Sequence, residues 1–501
     1  MLAVAFILVL LSCGILAWRR RNRNKDEPPT IPGALPLIGH IYLFLGIDPQ
    51  QLWNTVKKEV YRTMNAGGVT SGNIGLRKVY FVTDPDDCLK IANTCLQKDD
   101  FYKFAKPWVG DGLVTADLQT WKVHRKLLTP AFNQFVLDGF IDVLNRQAHR
   151  LVKNLEVEVD KGPFDHFTYI LPNGLETTCL TVMEVDFSDG GLLNSEYVHA
   201  TKNMLNSMVE RLVNPWLYSD AVFNWSSLKR KQDEYVKILH NMSNTVLKKR
   251  KAEYLNNKLH KGTEYTTKGP KFRSFMELLL ELTIEKGVFS DREIREHVDT
   301  MLFAGHDTTS TSLMYTMLLV GSYPEVQQKI FEELHDVFGD DDRDVTKQDL
   351  SRLVYLEAVL NESLRIYPIA PVMARKLDQD IKLRNCTLLK NRTCFLWAYG
   401  VHRHPMWGPD AEEFKPERWL DPATLPKCPT AFAGFGMGRR YCIGKTYAMM
   451  SMKITLAHVF RRYRVFGNHL LMVTKFEVML KPVSGHHIAI EIRKKSVKNE
   501  T

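Results

Sequence analysis

Cysteine is scarce in this chain: the 501 residues include 8 Cys, and no two of them form a C-x-x-C pair. So low a content excludes a disulfide scaffold, and the spacing excludes the common paired zinc sites. We therefore expect the cysteines to be reduced thiols in the cytosol. Any metal ligand among them would be a single cysteine and not a pair.

A strongly basic domain and internal repeats are also missing. The net charge is +10, from 67 Lys and Arg against 57 Asp and Glu, and a dense cationic run, RRRNRNK, occupies residues 19–25. The body has neither a zinc finger nor aromatic residues interleaved with basic ones, so nucleic-acid binding is not expected. Hydrophobic residues make up 45% of the chain, which is ordinary for a folded globular protein.

An apolar run long enough for a membrane is found at residues 1–18, which carry no charge. As a helix this run would span about 27 Å, close to the thickness of a thin bilayer. The basic run follows it, which predicts an uncleaved anchor with the body on the cytosolic side; a cleaved signal peptide is the alternative.

The prolines of residues 28–40 then predict a stiff extended hinge. We divide the chain into an anchor (1–18), a basic and proline-rich hinge (19–40) and one large body (41–501).

The body is predicted to be mainly α-helical with small β-sheets. Short strand-like runs occur at residues 78–82, 393–397 and 487–492. Ser290 and Glu293 form a capping-box pattern that predicts a long central helix, ending near residue 321. Residues 248–273, rich in Lys and Arg, are interpreted as a solvated surface loop.

One cysteine lies in an unusual setting. Residues 432–444 read FAGFGMGRRYCIG, so that Cys442 is surrounded by four glycines. Glycines let the backbone approach a flat group closely, and a thiolate there could bind the metal of a macrocycle. The alternatives are a buried inert thiol or a phosphate loop, although the G-x-G-x-x-G spacing is absent.

The pattern Phe435-x-x-Gly438-x-Arg440-x-Cys442-x-Gly444 resembles the haem-binding signature of the cytochrome P-450 superfamily of haem-thiolate monooxygenases. The resemblance extends over nearly the whole chain. It implies the cytochrome P-450 fold, a single haem domain behind an N-terminal transmembrane helix, and haem b with the Cys442 thiolate as axial ligand. The microsomal clan that contains fatty-acid hydroxylases and many insect enzymes is the most similar part of the superfamily.

The middle of the central helix reads Ala304-Gly-His-Asp-Thr-Thr. Small and β-branched residues interrupt its apolar pattern, which indicates either a bulge beside a cavity or a close helix crossing. By resemblance, Asp307 and Thr308 are the catalytic acid and alcohol that deliver protons during oxygen activation. Ala304 stands where some members carry a Glu that esterifies the haem, so no ester is expected.

Three further motifs match the superfamily: Glu362-x-x-Arg365, PERW at residues 416–419, and Trp121-x-x-x-Arg125. Glu362-x-x-Arg365 and Arg418 of the PERW motif are implied to form a buried structural network. A haem also brings two propionates that need cations and hydrogen-bond donors. The residues implied to bind the cofactor are Trp121, Arg125, Arg375, Phe435, Arg440 and Cys442. The two histidines of His402-x-His404 are interpreted as polar side chains that face solvent, and they are given no functional role.

The chain has no nucleotide or flavin fingerprint, so its electrons must come from a separate protein. The resemblance implies NADPH-cytochrome P-450 reductase, optionally cytochrome b5, and a single-pass location in the endoplasmic reticulum membrane. Apolar segments expected to contact the substrate, among them residues 101–118, 204–217 and 369–373, indicate a lipophilic small molecule. Two other functions stay open at this point, a haem-thiolate isomerase or dehydratase and a non-catalytic haem carrier or sensor, although the acid and alcohol pair favours the monooxygenase.

Overall fold

The computed structural model describes residues 26–186, 195–260 and 273–493, together with Phe6 and residues 9–14. Most of the predicted anchor, residues 1–18, lies outside this part. Of the helices that are described, none is long and apolar enough to cross a membrane.

Helices make up most of the described body, as predicted. In chain order they are α1 Pro49–Asn65, α2 Pro85–Thr94, α3 Lys106–Val109, α4 Leu118–Leu128, α5 Gln134–Asp138, α6 Ile141–Leu155, α7 Phe167–Thr181, α8 Ser195–Val213, α9 Asp220–Asn224, α10 Ser227–His260, α11 Phe275–Leu280, α12 Asp291–Ser322, α13 Pro324–Phe338, α14 Lys347–Arg352, α15 Val354–Ile366, α16 Ala398–Val401 and α17 Lys445–Arg462. Short 3-10 turns are Ile41–Leu43, Asp100–Ala105, Thr129–Phe132, Glu156–Glu158, Pro215–Tyr218, Pro405–Trp407, Pro416–Trp419, Pro422–Thr424, Pro429–Ala431, Gly438–Arg440 and His469–Leu471, with a π turn at Glu281–Glu285.

The strands form small sheets at the periphery. They are β1 Val69–Ile74, β2 Arg77–Val82, β3 Met373–Lys376, β4 Ile381–Lys382, β5 Thr387–Leu388, β6 Thr393–Leu396, β7 Tyr463–Gly467, β8 Val473–Glu477, β9 Met479–Ser484 and β10 Ile488–Ile492. One sheet has the order β1-β2-β6-β3 with β2 and β6 parallel, and the pairs β10-β7, β4-β5 and β8-β9 are antiparallel. The three predicted strands correspond to β2, β6 and β10.

Helix α12 is the central helix, and its predicted start is confirmed. The Ser290 side chain accepts a hydrogen bond from the Glu293 N–H while the Glu293 carboxylate accepts from the Ser290 N–H, which completes the capping box. At 32 residues it is about 48 Å long. Every residue from Leu313 to Gly321 is buried, so this end forms the middle of the apolar core.

The small residues of α12 mark a close crossing with α7. A Cβ on Gly305 would lie 2.8 Å from Thr178 Cγ2, and a Cβ on Gly174 of α7 would lie 2.2 Å from Ser310 Oγ. Larger side chains would force the helices apart. The helix-crossing interpretation of this motif is therefore correct for its α7-facing side.

The proline-rich hinge lies along the edge of the first sheet, and the prediction that it is extended holds only for its start at residues 28–31. Leu35 and Gly39 exchange two backbone hydrogen bonds of 2.9 Å, so the segment then folds into a tight turn. The Ile31 N–H donates to Ser71 O at 2.8 Å, and the His40 N–H donates to Asn73 O at 2.7 Å. These bonds fix residues 28–40 against strand β1, so this part of the hinge is an integral part of the folded body.

The prediction of a surface loop at residues 248–273 is wrong for its first half. Residues 248–260 are the last turns of α10, a 34-residue helix, and residues 261–272 lie outside the described part. Basic residues have good helix propensity, and contacts such as the ion pair between Arg250 and Glu253 (2.7 Å) hold them on the helix surface.

Candidate active site

The cysteine loop, residues 432–444, connects the turn at Pro429–Ala431 to helix α17. Its backbone has φ values of +79° at Gly436 and +64° at Gly438, which favour glycine. A Cβ on Gly438 would also lie 2.7 Å from the Cβ of Ala92, because helix α2 packs directly on the loop. The glycine pattern therefore serves both the turn and its close contact with α2.

Cys442 lies near the end of this loop, three residues before Lys445, the first residue of α17. Its N–H donates to Phe435 O at 2.9 Å, which closes the loop, and the residue is exposed on one side. Burial by the surrounding protein raises the pKa of the thiol above its ordinary value, and the Gly444 N–H and the charge of Arg125 offset part of that rise. A donor and a cation that both favour the thiolate suit a cysteine that serves as a metal ligand.

Three cations meet beside the loop. Arg375 of β3 is almost fully buried, Arg440 is half-buried, and Lys98 pairs with Arg375 across an isolated β-bridge. Burial lowers the pKa of Arg440 to about 10, with the charge of Arg375 adding to the effect. Burial and the two guanidinium groups also lower the pKa of Lys98 far below its usual value.

No carboxylate in the described residues forms an ion pair with these three cations, and the Nε atoms of Arg375 and Arg440 are buried without a hydrogen-bond partner. Buried cations that repel one another need an anionic partner. A group with two carboxylates, such as a haem with its two propionates, fits this cluster. Lys98 belongs to it although nothing in the sequence singled that residue out.

Two predicted residues of helix α4 complete the cluster. The guanidinium of Arg440 lies over the Trp121 ring, 4.4 Å from its centroid. Arg125, one helical turn later, donates to Tyr441 O at 3.2 Å and lies over the Tyr441 ring. The structure thus brings Trp121, Arg125, Arg375 and Arg440 together around the cysteine loop.

Glu362 is the centre of the predicted buried network. Its carboxylate is fully buried and accepts five hydrogen bonds, two from Arg365 and one each from the Lys415 N–H, the Arg418 side chain and the Trp419 indole. The distances are between 2.7 and 2.9 Å. Leu364, on the same helix, packs beneath Gly434, so the network supports the cysteine loop from below.

The interpretation of His402 as a solvent-facing side chain is wrong. Its ring is fully buried: Nδ1–H donates to Arg365 O at 3.0 Å, and Nε2 accepts from the Ala433 N–H at 2.8 Å. Burial lowers the pKa of His402 far below its usual value, helped by the charges of Arg365 and Arg403. The neutral ring therefore connects the Glu362 network directly to the first residues of the cysteine loop.

Replacing His402 by Ala should lower the free energy of unfolding by about 2–3 kcal/mol, because two buried backbone groups lose their partner. His404 is the matched control: it is partly exposed and lies 3.8 Å from Asp84. Its replacement by Ala should cost less than about 1 kcal/mol. Urea unfolding of both variants measures the difference, and equal losses would contradict the role of His402.

Asp307 and Thr308 lie on α12 where Gly305 brings that helix close to α7. The Thr308 hydroxyl donates to Ala304 O at 2.8 Å, the predicted back-bond, and α12 remains α-helical through this turn. Asp307 is buried and accepts a hydrogen bond from Lys481 of β9 at 2.6 Å. Lys481 was not predicted, since 174 residues separate it from Asp307.

Comparison with known proteins agrees with this geometry. A sequence model of the cytochrome P450 family matches residues 28–487. Cytochrome P450 4V2 of Homo sapiens is 33% identical over 499 residues, which cover 98% of this chain and 95% of that protein. Cytochrome P450 4c3 of Drosophila melanogaster is 32% identical, with 95% and 91% covered, and cytochrome P450 4c21 of Blattella germanica is 30% identical, with 98% and 99% covered.

A match of this extent shows the family, and members of that family carry haem with an axial cysteine thiolate. The exposed thiol at the end of a glycine loop fits such a group, and so do the cations that have no carboxylate partner in the part of the chain that the structure describes. The chain belongs to the cytochrome P450 family and is a haem-dependent monooxygenase.

Proposed function

We propose that this protein inserts one oxygen atom from O2 into a lipophilic small molecule, with Cys442 as the axial haem ligand. The observation that carries the assignment is the accessible thiol of Cys442, with Arg125 and the Gly444 N–H beside it. A haem bound through a thiolate supplies the activation of O2, since the thiolate donates electron density to the iron.

The chain's own residues would then do three things. Arg375 and Arg440 would bind the two propionates, with Arg125 and Trp121 beside them, which supplies the missing partner of the buried cations. The cysteine loop would hold the thiolate at a fixed distance from α17. Asp307 and Thr308 would deliver protons from solvent to the reacting oxygen.

Replacing Thr308 by Ala should leave haem content unchanged but reduce product formed per NADPH by about tenfold or more, because a positioned proton donor typically contributes at least that much. Peroxide should take the place of the lost product. Thr309→Ala is the matched control, since Thr309 is the next residue on the same helix turn. Product, NADPH and peroxide are measured together, and normal coupling in Thr308→Ala would refute the assignment.

An apolar cavity supports a lipophilic substrate. It has a volume of about 110 Å³, and its wall includes Ile31 and Phe44 near the hinge, Phe101, Leu212 and Val372. The last three belong to segments predicted to contact substrate. Because it extends from the hinge towards the first sheet, the cavity would admit a molecule from the side of the protein next to a membrane anchor.

Electrons would arrive at the face of the cysteine loop from NADPH-cytochrome P450 reductase, with cytochrome b5 as an optional second donor. Four exposed cations, Lys122, Lys126, Arg439 and Lys445, lie on or beside α4 and the loop. They suit an acidic partner surface, and complementary charge mainly raises the rate of association. A location on the endoplasmic reticulum membrane, with the body in the cytosol, would place the protein beside that reductase.

Reconstitution with the reductase tests the proposal. The purified protein is supplied with NADPH, isotopically labelled O2 and a panel of fatty acids, terpenoids and xenobiotics. One labelled oxygen atom in a product, dependent on both NADPH and reductase, is the expected result. Ligand-induced spectral changes without any labelled product across the panel would contradict it.

A further inference from the structure

The buried acid Asp307 has a cation of its own. Lys481 of β9 donates to Asp307 Oδ1 at 2.6 Å and to Thr311 Oγ1 at 2.7 Å. The Thr311 hydroxyl in turn donates to the Asp307 carbonyl at 2.7 Å. All three residues are buried, and together they hold the carboxyl group in one orientation on α12.

The second carboxylate oxygen is in a different situation. Asp307 Oδ2 is buried and has no hydrogen-bond partner among the described residues. Burying a carboxylate oxygen without a partner is costly, so an oxygen left in this state commonly has a functional reason. Lys481 thus determines which carboxylate oxygen of Asp307 is hydrogen-bonded and which has no partner among the described residues.

A cavity behind α12 reaches this acid from the surface. It has a volume of about 740 Å³ and lies between α7, α8, α12 and the β8-β9 hairpin. His306, Asp307 and Lys481 form its inner wall, and the exposed residues His199 and Lys202 form its outer wall. His486 and Asp165, 3.2 Å apart, line the wall between them, so polar side chains are present from the outer to the inner end of a cavity that apolar residues also line.

We propose that Lys481 is a positioning residue for proton delivery, and that this cavity is where the proton enters. Lys481 holds Oδ1, so Oδ2 is the atom that is free to take a proton arriving through the cavity and to release it towards Thr308, which regenerates the carboxylate. This inference rests on the proposed role of Asp307 as the proton-delivering acid.

The test compares Lys481→Met, Lys481→Arg and Asp307→Asn in the full-length haem protein. Lys481→Met should reduce product per NADPH by at least about fivefold, since correct placement of an acid is part of its catalytic effect. Lys481→Arg, which keeps the charge, should recover most of the coupling. Lys453→Met is the matched control because Lys453 is also buried and ion-paired, to Glu357 at 2.8 Å on another side of the core.

A second measurement does not depend on activity. Thermal unfolding of Lys481→Met, Asp307→Asn and the double variant forms a double-mutant cycle. The double variant should unfold no more easily than Lys481→Met alone, because Asp307→Asn removes the charge that the single variant leaves unpaired. Additive losses would show that the two side chains are not coupled, and would overturn the inference.

The outcomes separate this inference from the proposed function. If Asp307→Asn uncouples the enzyme and Lys481→Met does not, the acid is used without Lys481 and only the inference fails. If Asp307→Asn couples normally, the proposed role of the acid fails as well. If Lys453→Met uncouples the enzyme as much as Lys481→Met does, the loss of coupling comes from general destabilisation. That result would also overturn the inference.

Discussion

Replacement of Cys442 by His is expected to abolish monooxygenase activity and the red-shifted Soret band that a thiolate ligand gives to the reduced carbon monoxide complex. Imidazole is a neutral ligand, so it cannot donate electron density to the iron as a thiolate does. Absorption spectra of the reduced protein with carbon monoxide, and product formation with reductase, measure the two losses.

Cys386→Ser is the matched control for Cys442. Cys386 is partly exposed and lies between the short strands β4 and β5, away from the glycine loop. Its replacement should leave both the spectrum and the activity as in the wild type. A thiolate spectrum that persists in Cys442→His would place the ligand at another cysteine and refute the assignment.

Replacement of Glu362 by Gln should lower the free energy of unfolding by about 3–5 kcal/mol, since it leaves buried cations without their charge partner. Arg365 and Arg418 both donate to this carboxylate, and Glu362 and Arg365 are completely buried. Because Glu362 supports the cysteine loop through its helix, the variant should also lose haem on purification. Urea unfolding and haem content per protein measure these effects.

An exposed ion pair provides the control for Glu362. Lys229 and Asp233 are spaced i, i+4 on the surface of α10, and more than half of the Asp233 side chain is exposed. Asp233→Ala should cost about 0.5 kcal/mol or less and retain haem, because solvent screens such a pair. A Glu362→Gln variant as stable as Asp233→Ala would show that the buried network contributes little.

Features that depend on neighbouring residues could be predicted from the sequence. The capping box at Ser290 and Glu293, the strands β2, β6 and β10, and the glycine loop around Cys442 were all found this way. Each rests on contacts within a few residues, such as an N-cap, an alternating pattern or a turn that requires positive φ. Local patterns are sufficient for features of this kind.

Predictions from local patterns failed where burial or a partner far away in sequence determines the environment of a residue. His402 looks like a surface histidine in a polar loop, yet it is buried between the Arg365 carbonyl and the Ala433 N–H. The basic residues at 248–260 suggest a loop, yet they extend a helix anchored by the earlier turns of α10. In both cases the amino-acid type was consistent with two environments, and only the packing selected one.

The sequence by itself determined the family, and it predicted the ligand cysteine and the acid and alcohol on the central helix, because these are encoded in short runs with fixed spacing. Only the tertiary structure decided which cations have no carboxylate partner among the described residues, and which cation binds the carboxylate of Asp307. Lys98 meets Arg375, and Lys481 meets Asp307, through chain segments that are far apart in sequence. Electrostatic partners of this kind depend on distances of a few ångströms in the folded chain, and no spacing in the sequence encodes them.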